Sequence, residues 1–118
     1  MKLFLDDARC IPTADAPWCD ETWTTVRTAD EAIALLRTGQ VEEASLDHDL
    51  GHCEECKDCN GYADRRCACR CHLTGYFVVL WMETEGVWPP GGVRVHSANP
   101  GGALKMRLAI DRHYKGGV

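Results

Sequence analysis

Three short clusters carry residues able to do chemistry: Asp6-Asp7, Asp47-His48-Asp49, and His96-Ser97 with Asn99 just beyond. Each follows a segment that reads as a strand: the apolar run Leu3-Phe4-Leu5, then Val41 to Leu46, then Val93 to Val95. Carboxylates at close quarters repel one another unless a cation or shared protons compensate. Asp6, Asp7, Asp47 and Asp49 are hard oxygen ligands of the kind that suit Mg²⁺ or Mn²⁺, ions that recruit phosphate oxygens to complete their shell. Ser97 can donate a hydrogen bond to a phosphoryl oxygen. His48 and His96 are candidate acid/base groups, since histidine titrates near neutral pH. Pro100-Gly101-Gly102 lets the backbone approach an anion where a helix begins. A single Asp at a strand end is more often a turn residue or a helix cap, and His96 alone reads equally as a satisfied core histidine. Three strand ends so equipped in one short chain favour a site.

A second cluster is built of thiols. Of eight cysteines, Cys53, Cys56, Cys59, Cys67, Cys69 and Cys71 crowd into one segment, flanked by His52 and His72. Cys-x-x-Cys lets two thiolates reach one ion from a tight turn, and a second group closes the tetrahedron. Structural Zn²⁺ takes four ligands, so one ion with spare thiols, or two ions sharing six thiolates, fits this set, with His72 also a candidate. Disulfides are the alternative. Residues 52–73 are therefore expected to form a zinc-binding insert in which the metal orders a polar loop. Cys10 and Cys19 fall outside the cluster and receive no role.

The elements that must position these clusters alternate in type. Leu3 to Leu5 and Trp23 to Val26 read as strands, joined by a long loop over residues 8–22 with no helical period. Thr28-Ala29-Asp30-Glu31 has capping-box form and opens a helix that buries Ala32, Ile33, Leu35 and Leu36 and ends at Gly39. A third strand leads to Leu46. Tyr76 to Glu85 reads as a helix apolar nearly all round, and a fourth strand covers Val93 to Val95. A last helix over Ala103 to His113 is expected to turn Leu104, Leu108 and Ala109 or Ile110 inward. Strands alternating with helices imply a parallel sheet with right-handed crossovers. In such sheets ligands bind beyond the strands' carboxyl ends, and the order 2-1-3-4 would gather all three clusters there.

With 118 residues the chain suits one domain, residues 1–118. A net charge of −5 counts against a broad nucleic-acid surface. Lys57, Arg65, Arg66 and Arg70 could still form a local positive patch, or a solvated loop. No run approaches the roughly 18–20 apolar residues of a membrane span, and the acidic start does not read as a leader, so a cytoplasmic address is expected.

Leu3-Phe4-Leu5-Asp6-Asp7-Ala8-Arg9, Ser45-Leu46-Asp47-His48-Asp49-Leu50-Gly51, Thr74-Gly75-Tyr76 and Val95-His96-Ser97-Ala98-Asn99-Pro100 resemble the cyclic-phosphate-processing receiver domains. The resemblance implies a receiver-like (flavodoxin-like) α/β fold, here of about four strands and lacking the C-terminal fifth. By the same resemblance Asp6 and Asp7 correspond to the metal-binding acidic pair, Asp47 to the phosphoacceptor and Ser97 to the hydroxyl that meets the phosphoryl group. The receiver lysine on the fifth strand has no counterpart, whereas His48, Asp49, His96 and Asn99 exceed what a receiver needs.

The expected function is metal-dependent phosphate chemistry on a cyclic nucleotide or an RNA 2′,3′-cyclic phosphate end, with phosphodiesterase activity. Asp47, His48, His96 and Ser97 would be catalytic, and Arg9, Ser97, Asn99 and Gly101 would bind substrate. Asp6, Asp7, Asp47 and Asp49 would hold Mg²⁺ or Mn²⁺. The alternatives are a receiver-like phosphoacceptor or phosphate-binding module, and a domain whose zinc loop docks a protein.

Overall fold

The structure, a computed structural model, describes residues 1–6, 12, 14, 16–50, 74–97 and 99–115. The zinc expectation for residues 52–73 lies outside them, as do Asp7 and Arg9. The described elements are β1 (Lys2–Leu5), β2 (Trp23–Val26), α1 (Ala29–Leu36), β3 (Glu43–Leu46), α2 (Gly75–Glu85), β4 (Val93–Val95) and α3 (Pro100–Tyr114). The four strands pair in parallel in the order β2-β1-β3-β4, the order that brings the three clusters to one edge.

Handedness explains how the two faces are covered. From β2 onward the chain steps across the sheet in one direction, so right-handed crossovers put successive helices on the same face. There Leu3, Leu5, Val26, Ala44 and Leu46 meet Ala32, Ile33 and Leu36 of α1, Val78, Val79 and Met82 of α2, and Met106, Ala109 and Ile110 of α3. The step from β1 to β2 runs the opposite way, and its connection covers the opposite face. That face carries Phe4 and Trp23, packed with Ala16, Trp18 and Cys19 of the connecting loop. The loop is thus a packing element, contrary to its unpatterned sequence. Cys19, 1% exposed, is disulfide-bonded, a role its isolated position did not suggest. Arg94 crosses Trp18 with its guanidinium 4.3 Å from the ring centroid and pairs with Glu43.

Caps set the helix ends. Thr28 accepts from the Glu31 amide at 3.1 Å, as the capping box predicts, while the Glu31 carboxylate returns to the Thr28 hydroxyl at 3.0 Å. Asn99 caps α3, its Oδ1 accepting from the Gly102 amide at 3.1 Å, so the helix starts at Pro100. Gly102, Ala103, Met106, Ala109 and Ile110 face inward, while Leu104 and Leu108 are 58% and 54% exposed. The expectation for those leucines is therefore overturned. Two stripes compete on this helix, and the one that begins with Gly102 wins because a side chain there would collide with His48 just beyond the end of β3.

The free edge of β4 is short and covered in part. Gly92 and His96 exchange backbone bonds with β3, which turns the Val95 carbonyl outward, where Arg107 donates to it at 3.1 Å. Among the described residues no helix is long and apolar enough to cross a membrane.

Candidate functional site

Asp6, Asp47 and His96 are the residues next after Leu5, Leu46 and Val95, which stand in register across three strands. The Asp47 amide bonds the Leu5 carbonyl at 2.9 Å and the His96 amide bonds the Leu46 carbonyl at 3.0 Å, so the ladder continues into this row. Strand side chains alternate between faces, and all three belong to the face of Phe4, Ser45 and Arg94. Their ligand atoms, two carboxylate oxygens and a ring nitrogen, lie within 4.8 Å of one another.

His96 is held on every side. Its Nε2 lies 3.0 Å from Asp6 Oδ2 and its Nδ1 lies 2.6 Å from Ser45 Oγ. Phe4 stacks on the ring at 4.2 Å and 7°, and Trp18 presents an edge at 6.3 Å between centroids. An ionised Asp6 can only accept, so Nε2 carries the hydrogen and the Ser45 hydroxyl donates to Nδ1. Both ring nitrogens of a neutral His96 are engaged in this way.

His48 belongs to the opposite face, by the same alternation, and packs against α3. It is 2% exposed. Its Nδ1 donates to Asp49 Oδ1 at 2.6 Å, and Asn99 Nδ2 donates to the same oxygen at 3.1 Å. Asn99 thus links Asp49 to the first turn of α3. The 3.4 Å approach of Asn99 Nδ2 to His48 Nδ1 joins two donors and adds no bond of its own. The Asp47 carboxylate accepts from the His48 amide at 2.8 Å, which ties the two sets together.

The clusters therefore divide. Asp6, Asp47 and His96 form a cation-sized group, whereas Asp49, expected as a ligand, is engaged by His48 and Asn99. Ser97 Oγ accepts from the Asn99 amide at 3.1 Å. Gly101 sits exposed in the first turn of α3. That turn is a weaker anion site than its glycines suggest: Pro100 has no N–H, and the Gly102 and Ala103 amides bond Asn99. Of the expected residues, Asp7, Arg9, Cys53, Cys56, Cys59, Cys67, Cys69, Cys71 and His72 lie outside the described set. Ser45 was missed in the sequence. Its signal was a hydroxyl between Ala44 and Leu46, two residues before Asp47 and so on the same strand face. Gly75 was quoted only as part of a motif, yet a Cβ there would overlap the Asp47 carbonyl oxygen.

A parallel sheet ordered 2-1-3-4, with acidic residues ending its two central strands, defines a receiver-like α/β protein. The chain belongs to the family of the cyclic-phosphate processing receiver domain, whose pattern matches residues 1–112. No curated protein and no solved structure matches it.

Proposed function

We propose that this domain processes a cyclic phosphate with the help of a divalent cation held by Asp6 and Asp47, beside His96. The observation that carries the reading is the convergence of those three side chains within 4.8 Å at the carboxyl edge of the sheet. Two carboxylates and an imidazole so close suit a cation both in charge and in donor type. Such an ion, when bound, polarises a phosphoryl group and favours ionisation of water.

The chain's own residues supply the rest. His48, with Nδ1 committed to Asp49, has its tautomer set with the ring hydrogen on Nδ1. His96 sits among the ligands with both nitrogens engaged, whereas His48 is buried on the other face; both are candidate acid/base groups, and substitution tells them apart. Hydrolysis would form a bond from water oxygen to phosphorus, break one ring P–O bond, and return a proton to the departing alkoxide. The substrate is a cyclic nucleotide or an RNA 2′,3′-cyclic phosphate end.

Purified protein supplied with Mn²⁺ or Mg²⁺ should linearise one of these substrates. His48→Ala should cut turnover roughly 10²- to 10⁴-fold while leaving cation binding nearly intact. Folded, cation-loaded protein silent on both substrates would defeat the enzymatic reading. The Asp47 position also supports a second reading, as a phosphoacceptor: stable phosphorylation of Asp47 by acetyl phosphate would establish it.

A further inference from the structure

We infer that the cation site is selective for a transition-metal ion over Mg²⁺, because His96 enters it as a nitrogen ligand and Ser45 serves as that ligand's outer partner. The inference rests on the cation reading above and concerns which ion the site takes. Imidazole nitrogen binds Mn²⁺, Fe²⁺ or Zn²⁺ readily, whereas Mg²⁺ prefers oxygen throughout. A site of two aspartates and water would leave the choice to availability; a fixed imidazole biases it.

The surroundings of His96 are those of a built ligand. The side chain is 4% exposed, and Nε2 faces Asp6, which groups with Asp47. On the far nitrogen stands the Ser45 hydroxyl, fully buried, at 2.6 Å. Metal-bound histidines are characteristically oriented by such a partner. Phe4, stacked at 4.2 Å, fixes the plane of the ring. A serine hydroxyl can donate or accept, so it serves both forms of the ring. Without an ion it donates to Nδ1 while Nε2–H faces Asp6. With an ion the single ring hydrogen moves to Nδ1, which donates to Ser45, and the Nε2 lone pair turns to the metal. No net proton is gained or lost by the ring.

The test uses Mn²⁺ and Mg²⁺, since the many thiols elsewhere in the chain would compete for softer ions. Calorimetric titration of the whole protein should show Mn²⁺ binding more tightly than Mg²⁺. Pulsed electron paramagnetic resonance of the Mn²⁺ form should show coupling to a directly bound ¹⁴N, replaced by ¹⁵N coupling when histidine is isotopically labelled. Ser45→Ala should weaken Mn²⁺ roughly 10- to 100-fold. His96→Gln should erase the preference for Mn²⁺ while Asp6→Asn should weaken both ions. Equal affinities with no nitrogen coupling in the wild type would overturn the inference and leave an oxygen-only cation site standing. Failure of either ion to bind the wild type would overturn this inference and the cation reading together. The spectroscopic arm needs no variant, so misfolding of His96→Gln would not shield the idea.

Discussion

The first turn of α3 lies so close to His48 that a Cβ on Gly102 would stand 2.5 Å from two carbons of the ring. Glycine there is a condition of the site, since it lets Asn99 cap the helix and reach Asp49 at once. Gly102→Ala should cost about 1–3 kcal/mol, as overpacking does, and shift the His48 ring resonances. Gly75→Ala should cost more, about 3 kcal/mol or above, because the obstacle is the Asp47 carbonyl and backbone cannot rotate away. Urea denaturation of both variants checks the order. A Gly102→Ala protein as stable as the wild type, with His48 unmoved, would contradict this packing.

Asn99 does two jobs that substitution can separate. Asn99→Ala removes both the cap on Gly102 and the bond to Asp49, whereas Asn99→Ser keeps a capping oxygen. The serine variant should recover about 1 kcal/mol of stability relative to the alanine variant. It should not recover turnover, because the donor to Asp49 is still missing. Full activity in Asn99→Ser would reduce Asn99 to a helix cap.

The two stripes on α3 make opposite claims about its leucines. Leu108→Lys should change stability by no more than about 0.5 kcal/mol, given its exposure. Met106→Ala, at a fully buried position, should cost about 2–5 kcal/mol. Thermal unfolding of the pair decides it, and a large loss in Leu108→Lys would reverse the assignment of faces.

Removing the Thr28 cap should be felt locally and not at the site. Thr28→Ala should cost about 1 kcal/mol through the unpaired Glu31 amide, with cation affinity unchanged. Chemical denaturation together with Mn²⁺ titration reads both quantities.

The cysteine segment makes its own prediction from spacing. Protein purified without added metal should carry at least one zinc per chain by elemental analysis. Cys53→Ser combined with Cys56→Ser should lower that content and raise protease sensitivity within residues 52–73. Unchanged zinc and unchanged proteolysis would make these thiols dispensable to metal binding.

Much of the scaffold was legible in the sequence because its signals are local. An apolar run before Asp6 and shorter strand-like segments before Asp47 and His96 marked the strands, Thr28 and Glu31 marked a cap, and alternation of strand and helix implied a parallel sheet. The residue types at the strand ends were enough to suggest a cation and phosphate chemistry. What they could not reveal was which of them meet. His48 and His96 looked equivalent in the chain, yet strand alternation sends one toward α3 and the other toward Phe4. Asp49 looked like one more carboxylate ligand beside Asp6, Asp7 and Asp47, but beyond the end of β3 it pairs with His48. The face of α3 was undecidable from its own pattern, since Leu104 and Leu108 on one side and Gly102, Met106 and Ala109 on the other both have helical spacing. Distance settled the matter: only the stripe that opens with Gly102 fits its first turn against a histidine ring. Sequence determines which groups are available and at what local period. Only the packed sheet decides which groups share a face, because register and crossover handedness depend on residues far apart in the chain.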